Sequence, residues 1–340
     1  ILTNCSNNDK MTNTEAKATI EAPDCKKIPK ELSIHNDTRI DNYFWLNDRE
    51  NEEVITYLNQ ENDYTAHLLK PTQKLQEELF AEIKGKIKEE DQSVPYFYNG
   101  YYYISRFEKG NEYMIKSRKK GSLNAQEEIL IDCNKLAKGK SYFQLGDNEV
   151  SPNNQFLAYS SDTVSRRKYD IYFKNLTTGE ILEEIIPNTT GAITWANDNK
   201  TVFYTLQDEE TLRSYRIMKH RLGTPVTEDV LVYEEENEEF DTYVYKTKSE
   251  KYIIIGSSST LTDSYQIINA DTPDANFTAF APRTKGIEYD IFHKDNQFFI
   301  LTNKDAQNFK IMVCPEHTTN IENWKDYLPY NENILTEGID

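Results

Sequence analysis

An aromatic-x-Ile triplet recurs five times along this chain, and no other feature limits its fold as strongly. The copies are Tyr113-Met114-Ile115, Tyr169-Asp170-Ile171, Tyr215-Arg216-Ile217, Tyr265-Gln266-Ile267 and Phe309-Lys310-Ile311. They stand 44 to 56 residues apart, the period of one four-stranded propeller blade. A polar turn and an apolar strand precede them: Ser151-Pro152-Asn153-Asn154 leads into Phe156-Leu157-Ala158-Tyr159, and Asn197-Asp198-Asn199-Lys200 into Val202-Phe203-Tyr204. An outer strand follows, as in Glu128-Ile129-Leu130-Ile131 and Val230-Leu231-Val232-Tyr233. Asn99-Gly100, between Tyr96-Phe97-Tyr98 and Tyr101-Tyr102-Tyr103-Ile104, has the residue pair that a type I′ hairpin turn demands. One blade cannot cover both of its faces, so the blades must stack, with each Tyr-x-Ile strip facing a neighbour. In a β-sandwich this register would be accidental.

Upstream the period changes from strand to helix. Val54, Tyr57 and Leu58 share one helical face, and after Pro71 a second run repeats Leu75, Leu79, Ile83 and Ile87 every four residues. The expected organisation is a flexible segment over 1–25, a helical arm over 26–90 and an incomplete β-propeller over 91–340. The fold class is mainly β. The final Ile334-Leu335-Thr336-Glu337-Gly338-Ile339-Asp340 reads as a turn into a further strand, so the expectation is a chain cut inside its propeller.

Composition narrows the function. With 57 Asp+Glu against 39 Lys+Arg the net charge is −18, which speaks against a nucleic-acid footprint and favours cationic partners such as basic peptides. Cys5, Cys25, Cys133 and Cys314 lack both disulfide-framework and metal-ligand spacing, and the five histidines form no paired motif. No cofactor or metal is expected. Leu2-Thr3-Asn4-Cys5-Ser6 is similar to the end of a bacterial lipoprotein signal. On that reading Cys5 is a lipidation site and the protein is periplasmic or membrane-anchored in a bacterium; without lipidation it is cytoplasmic.

Several segments resemble oligopeptidase B (protease II) within the prolyl oligopeptidase family of serine peptidases. They are Arg39-Ile40-Asp41-Asn42-Tyr43-Phe44-Trp45-Leu46-Asn47-Asp48, Glu82 to Asp91 with Val94-Pro95-Tyr96, Trp195 to Asn199 with Phe203-Tyr204-Thr205, His220-Arg221-Leu222-Gly223-Thr224, Asp229 to Glu235, and Leu301-Thr302-Asn303 with Asn308-Phe309. The resemblance runs in order over roughly residues 25–340. It implies a seven-bladed propeller, about five blades of it present here, capping an α/β-hydrolase domain that cleaves short peptides after Lys or Arg. Such enzymes carry their nucleophile in Gly-x-Ser-x-Gly, and this chain contains no such motif. No catalytic residue is assigned, and the chain alone is expected to be inactive. It would gate substrate access and dock the hydrolase domain. The alternative is a stand-alone propeller that binds a peptide or protein.

Candidate site residues follow from charge and from the resemblance. Glu234, Glu235, Glu236, Glu238 and Glu239 form the densest acidic run, a candidate for steering basic peptides. Arg166 and Arg167, beside Lys168, and the arm's Trp45 are candidates for interdomain contacts. His35 is read as anchoring a turn in the arm, and Trp195 as packing between blades.

Overall fold

The computed structural model describes residues 20–339, so Cys5 lies outside the described residues. The chain divides into two compact units between Lys88 and Glu89.

The first unit opens on a feature that helical periodicity does not reveal, a hairpin pairing Lys30–Ile34 with Asp37–Asp41. Its two-residue turn is His35-Asn36, both at positive φ (53° and 62°), the geometry of a type I′ turn. A short 3-10 turn, Phe44–Asn47, follows. Helix α1, Glu52–Leu69, starts where the Asn51 side chain accepts the Glu53 N–H at 2.9 Å, satisfying one of the helix's unpaired donors. Helix α2, Gln73–Gly85, begins just after Pro71. Val54 is the one buried residue of α1, and α2 has none. Leu75, Leu79, Ile83 and Ile87, with Phe80 beside them, are all exposed.

The second unit is a series of five antiparallel blades. Blade 1 is built on Tyr101–Phe107, Ile115–Lys120 and Glu127–Asp132; its first strand is split into Asp91–Gln92 and Tyr96–Tyr98, both pairing with Tyr101–Phe107. Blade 2 holds Gln144–Val150, Phe156–Asp162 and Tyr169–Asn175. The long strand Ile181–Trp195 then serves two blades. Its first part pairs with Tyr169–Asn175 and its last part with Thr201–Gln207 of blade 3. Pro187, Asn188 at φ 57° and Gly191 at φ 94° bend it between the two duties. A Cβ on Gly191 would lie 2.8 Å from the Tyr169 ring, so the bend also needs glycine's lack of bulk. Ser214–Arg221 and Val230–Glu234 complete blade 3. Blade 4 is Asp241–Lys246, Tyr252–Ser258, Asp263–Asn269 and Thr278–Ala279; blade 5 is Tyr289–Lys294, Gln297–Thr302, Lys310–Pro315 and Lys325–Leu328.

The turn between the first two strands carries a left-handed residue in every blade, in two-residue hairpins in blades 1 and 5 and in longer turns in blades 2 to 4. Asn99, Asn154, Asn199, Glu250 and Asp295 all have left-handed backbones, with φ between 44° and 63°. Polar groups of each turn reach the next blade. Asn99 Nδ2 donates to Pro152 O at 2.7 Å, Asn153 N to Asn199 Oδ1 at 2.6 Å, and Asn197 Nδ2 to Glu250 O at 3.0 Å. Ser249 Oγ meets His293 Nδ1 at 2.8 Å. These bonds form a belt along one end of the blade stack.

Apolar contact joins the faces. Ile115, Ile171, Ile217 and Ile267 of the triplets are buried, as the repeat predicts. In the fifth copy Phe309 has φ 57° and stands just before its strand. Met312 packs against blade 4 in the same cluster as Ile254, Tyr265 and Ile267, so Ile311 points to the opposite face of blade 5 and is half-buried, while Lys310 is buried. The buried ammonium of Lys310 is paired with Asp326 Oδ1 at 2.9 Å. Trp195 is fully buried; its indole N–H donates to Glu149 O of blade 2 at 3.0 Å and its ring meets Phe173 edge-on. It packs between blades 2 and 3.

Candidate functional site

The glutamate run does not behave as one patch. Glu234 pairs with Arg216 Nη2 at 3.0 Å across two strands. Glu235 is buried. Its Oε2 accepts from Arg283 and from the Tyr233 hydroxyl (2.7 Å), and its Oε1 from Arg283 Nη1 and the Asn237 N–H, both at 3.2 Å. Burial alone would raise its pKa, but the Arg283 guanidinium, the Tyr233 hydroxyl and the Asn237 amide outweigh it and hold the carboxyl at about 2. Glu235 is thus a tie between blades 3 and 4, while Glu236, Glu238 and Glu239 project into solvent.

Arg213 fixes the loop that carries them. Its guanidinium donates to the carbonyls of Phe240 (2.9 Å), Glu235 (3.3 and 3.2 Å) and Asn237 (3.4 Å). Loops 208–213 and 235–240 leave the same end of blade 3, so Glu209 and Glu210, both exposed, extend the acidic rim. Arg213 and these two glutamates went unread in the sequence; Asp208-Glu209-Glu210 was an available signal.

The basic loop sits next to this rim. The buried Asp162 carboxylate accepts four backbone N–H groups, from Val164 (2.8 Å), Ser165 (3.0 Å), Arg166 (2.9 Å) and Arg167 (2.8 Å). That clamp sets the loop backbone and leaves the Arg166 and Arg167 side chains exposed. Gln207 Nε2 of blade 3 donates to Arg167 O at 2.6 Å, placing the two loops side by side. Trp45 lies in the first unit. Its indole N–H donates to Lys26 O at 2.8 Å and its ring is 6.4 Å from that of Tyr57, so it ties the segment before the first strand to α1.

A second group of charges lies on first strands, which surround a propeller's axis. Burial lifts the Glu149 carboxyl to about 7, Asp147 adds to the rise, and Lys246 opposes it. Asp147 is itself raised by burial, against a hydrogen bond from the Ile193 N–H at 3.1 Å. Isolated carboxylates in Leu145-Gly146-Asp147-Asn148-Glu149-Val150 gave no sequence signal beyond their shared face.

Nucleophile chemistry has little support among the described residues. Burial pushes the Cys133 and Cys314 thiols up to about 11 and about 12, where the thiolate is scarce. Ser249, His293 and Glu316 form a hydrogen-bonded string, with His293 Nε2 3.0 Å from Glu316 Oε2. The Ser249 hydroxyl is shared with Thr247 Oγ1 (2.9 Å) and the Lys251 N–H (3.4 Å), and Glu316 is held by Lys251 Nζ at 2.6 Å. The string closes the seam of blades 4 and 5 and caps a turn. No group of three or more His, Cys, Asp or Glu among the described residues is arranged to hold a metal ion.

A helical arm followed by stacked antiparallel blades defines a β-propeller domain. Residues 23–340 match the family model described as the prolyl oligopeptidase N-terminal β-propeller domain, and the chain belongs to that family. It is 38% identical over 342 aligned residues to dipeptidyl aminopeptidase BI of Pseudoxanthomonas mexicana, covering 95% of this chain and 47% of the relative. It is 32% identical to protease 2 of Moraxella lacunata, covering 92% and 46%. Oligopeptidase B from Leishmania major superposes with a TM-score of 0.88 at 28% identity, over 94% of this chain and 48% of that one. The chain spans about half the length of the curated relatives it matches.

Proposed function

We propose that this chain is the access-gating and docking portion of a serine oligopeptidase that cleaves short peptides after Lys or Arg, with the catalytic groups on an α/β-hydrolase domain in the remaining half. The observation that carries the reading is the nearly whole-chain match to about half of each relative, in a sequence without a Gly-x-Ser-x-Gly elbow. Docking is supported by the arm: Leu75, Leu79, Ile83 and Ile87 form an apolar stripe exposed to solvent, and such contiguous surface marks an interface. Arg166 and Arg167, projecting beside the acidic rim, are suited to an ionic contact with the same domain. The rim of Glu209, Glu210, Glu236, Glu238 and Glu239 favours cationic substrates by steering.

The mechanism assigned to the other half is acyl transfer: serine attack with histidine as base, an oxyanion hole, then water. This half contributes a limit on substrate size and a field that gathers positive charge. A second reading comes from the 38% identity to a protein named a dipeptidyl aminopeptidase, in which a free N-terminus is recognised.

A substrate panel on the full-length protein separates the two. Faster cleavage of an N-blocked arginine amide than of an unblocked dipeptidyl amide supports the oligopeptidase reading, and the reverse order rejects it. Steering is tested by reversing Glu236, Glu238 and Glu239 to Lys. The rate constant kcat/KM for basic peptides should fall several-fold at low salt (roughly 3–10-fold) and converge with wild type at high salt. Equal values at both salt concentrations reject steering.

A further inference from the structure

The seam between blades 2 and 3 holds a buried histidine that none of the chemistry above employs. His220, on Ser214–Arg221, has no exposed surface. Its Nδ1 lies 2.6 Å from Asp229 Oδ1 and its Nε2 2.6 Å from Glu184 Oε1. Asp229 immediately precedes the outer strand of blade 3, whereas Glu184 belongs to the blade-2 part of Ile181–Trp195. One ring therefore bridges two blades, at the opposite end of the strands from the charged loops.

The other contacts of the carboxylates are also made. The Tyr204 hydroxyl donates to Asp229 Oδ2 at 2.7 Å, and the Gly223 N–H donates to Glu184 at 3.0 and 3.2 Å. Phe173 stacks on the imidazole, with centroids 5.7 Å apart. A neutral imidazole has a single N–H and can serve one of these carboxylates, leaving a lone pair against the other. The imidazolium donates to both through charge-assisted bonds.

The groups facing the ring are few. Ile181–Trp195 supplies Glu184, Thr201–Gln207 supplies Tyr204, the segment before Val230–Glu234 supplies Asp229, and Tyr169–Asn175 supplies uncharged Phe173. On the ring's own strand, Lys219 is turned to Asp274 at 2.8 Å and Arg221 is exposed. Among the described residues no cation is paired with either carboxylate. Burial by itself favours the neutral ring, but the bonds and charges of Asp229 and Glu184 outweigh it and raise the pKa above its ordinary value.

We propose that His220 is a proton-operated staple, holding blade 2 to blade 3 as an imidazolium and releasing Glu184 when the ring loses its proton. Glu184 is the partner that lets go because its side chain is 13% exposed against 2% for Asp229, and so can rehydrate. The sign is fixed by linkage. A histidine whose folded pKa is raised contributes its full stabilisation below about 6.5 and loses it as pH climbs through the folded value.

The test is NMR of the full-length protein with isotope-labelled histidine rings, titrated from about pH 6 to 10, with the His220 signals assigned by their absence in His220→Gln. The expected result is a His220 titration midpoint above the ordinary histidine value of about 6.5, lowered in E184Q. Exchange of the Gly223 amide, corrected for its intrinsic pH dependence, should rise at least about tenfold between pH 7 and 10. A titration midpoint at or below the ordinary histidine value of about 6.5, a titration unmoved by E184Q, or Gly223 exchange that stays flat would overturn the staple.

Discussion

Replacing Glu235 by alanine separates the buried glutamate of the acidic run from its exposed neighbours, and the structure sets the size of the effect. The Glu235 side chain is 4% exposed, while Arg283 is 32% exposed and lies over the Phe240 ring at 4.0 Å. A carboxyl held at about 2 against an ordinary 4.5 is worth about 3 kcal/mol at neutral pH by linkage. Breaking a buried pair by removing one partner costs about 3–5 kcal/mol when the other charge is stranded. Here Arg283 can reach water, so the lower end applies and we expect a loss of about 2–3 kcal/mol. Because the folded pKa is depressed, the stabilisation is present above about 4.5 and disappears as pH falls toward 2. Urea unfolding of wild type and E235A at pH 7 and near pH 2.5 measures both the size and the convergence. E239A, altering an exposed residue, should change stability by less than about 0.5 kcal/mol at either pH. A destabilisation of E235A below about 0.5 kcal/mol at pH 7, or one that persists undiminished in acid, refutes the reasoning.

Glu149→Gln should act in the opposite direction. Its carboxyl is raised to about 7, so the folded state keeps a proton the unfolded chain releases, and stability falls as pH rises from about 4.5 to 7. The amide should stabilise the protein by about 1–3 kcal/mol at pH 8 and by almost nothing at pH 4.5, read from paired melting curves. In the arm, Leu79→Asp with Ile83→Asp should cost the full-length protein about 1.5–3 kcal/mol per side chain if the stripe is covered by the hydrolase domain. Unchanged unfolding and unchanged activity would show the stripe to be solvent surface.

Local chemistry was the most legible part of the fold. Asn99-Gly100 states its turn, and the recurring polar turns ahead of apolar strands mark where the first two strands of each blade meet. Pro71 and the four-residue spacing of Leu75, Leu79, Ile83 and Ile87 announce α2. What escaped the sequence depends on distant partners or on one local backbone choice. Glu235 reads like Glu236 until Arg283, 48 residues away, is brought against it. Phe309 adopts a left-handed backbone just before its strand, a choice that nothing in the triplet announces. The strand Ile181–Trp195 contains a proline and a glycine that would ordinarily end it, yet the bulged bend lets it pass from blade 2 to blade 3. His220 was legible only as part of a family-like segment, because its two carboxylates come from different strands.

The most direct measurement of the central claim compares hydrolysis of an N-blocked arginine amide by the full-length protein and by this 340-residue chain alone. The account predicts robust kcat/KM for the full-length protein, abolished by a serine-directed inhibitor, and no turnover above background for the chain. Hydrolysis by the isolated chain at a comparable rate, or a full-length protein with no activity on blocked basic substrates, would contradict it.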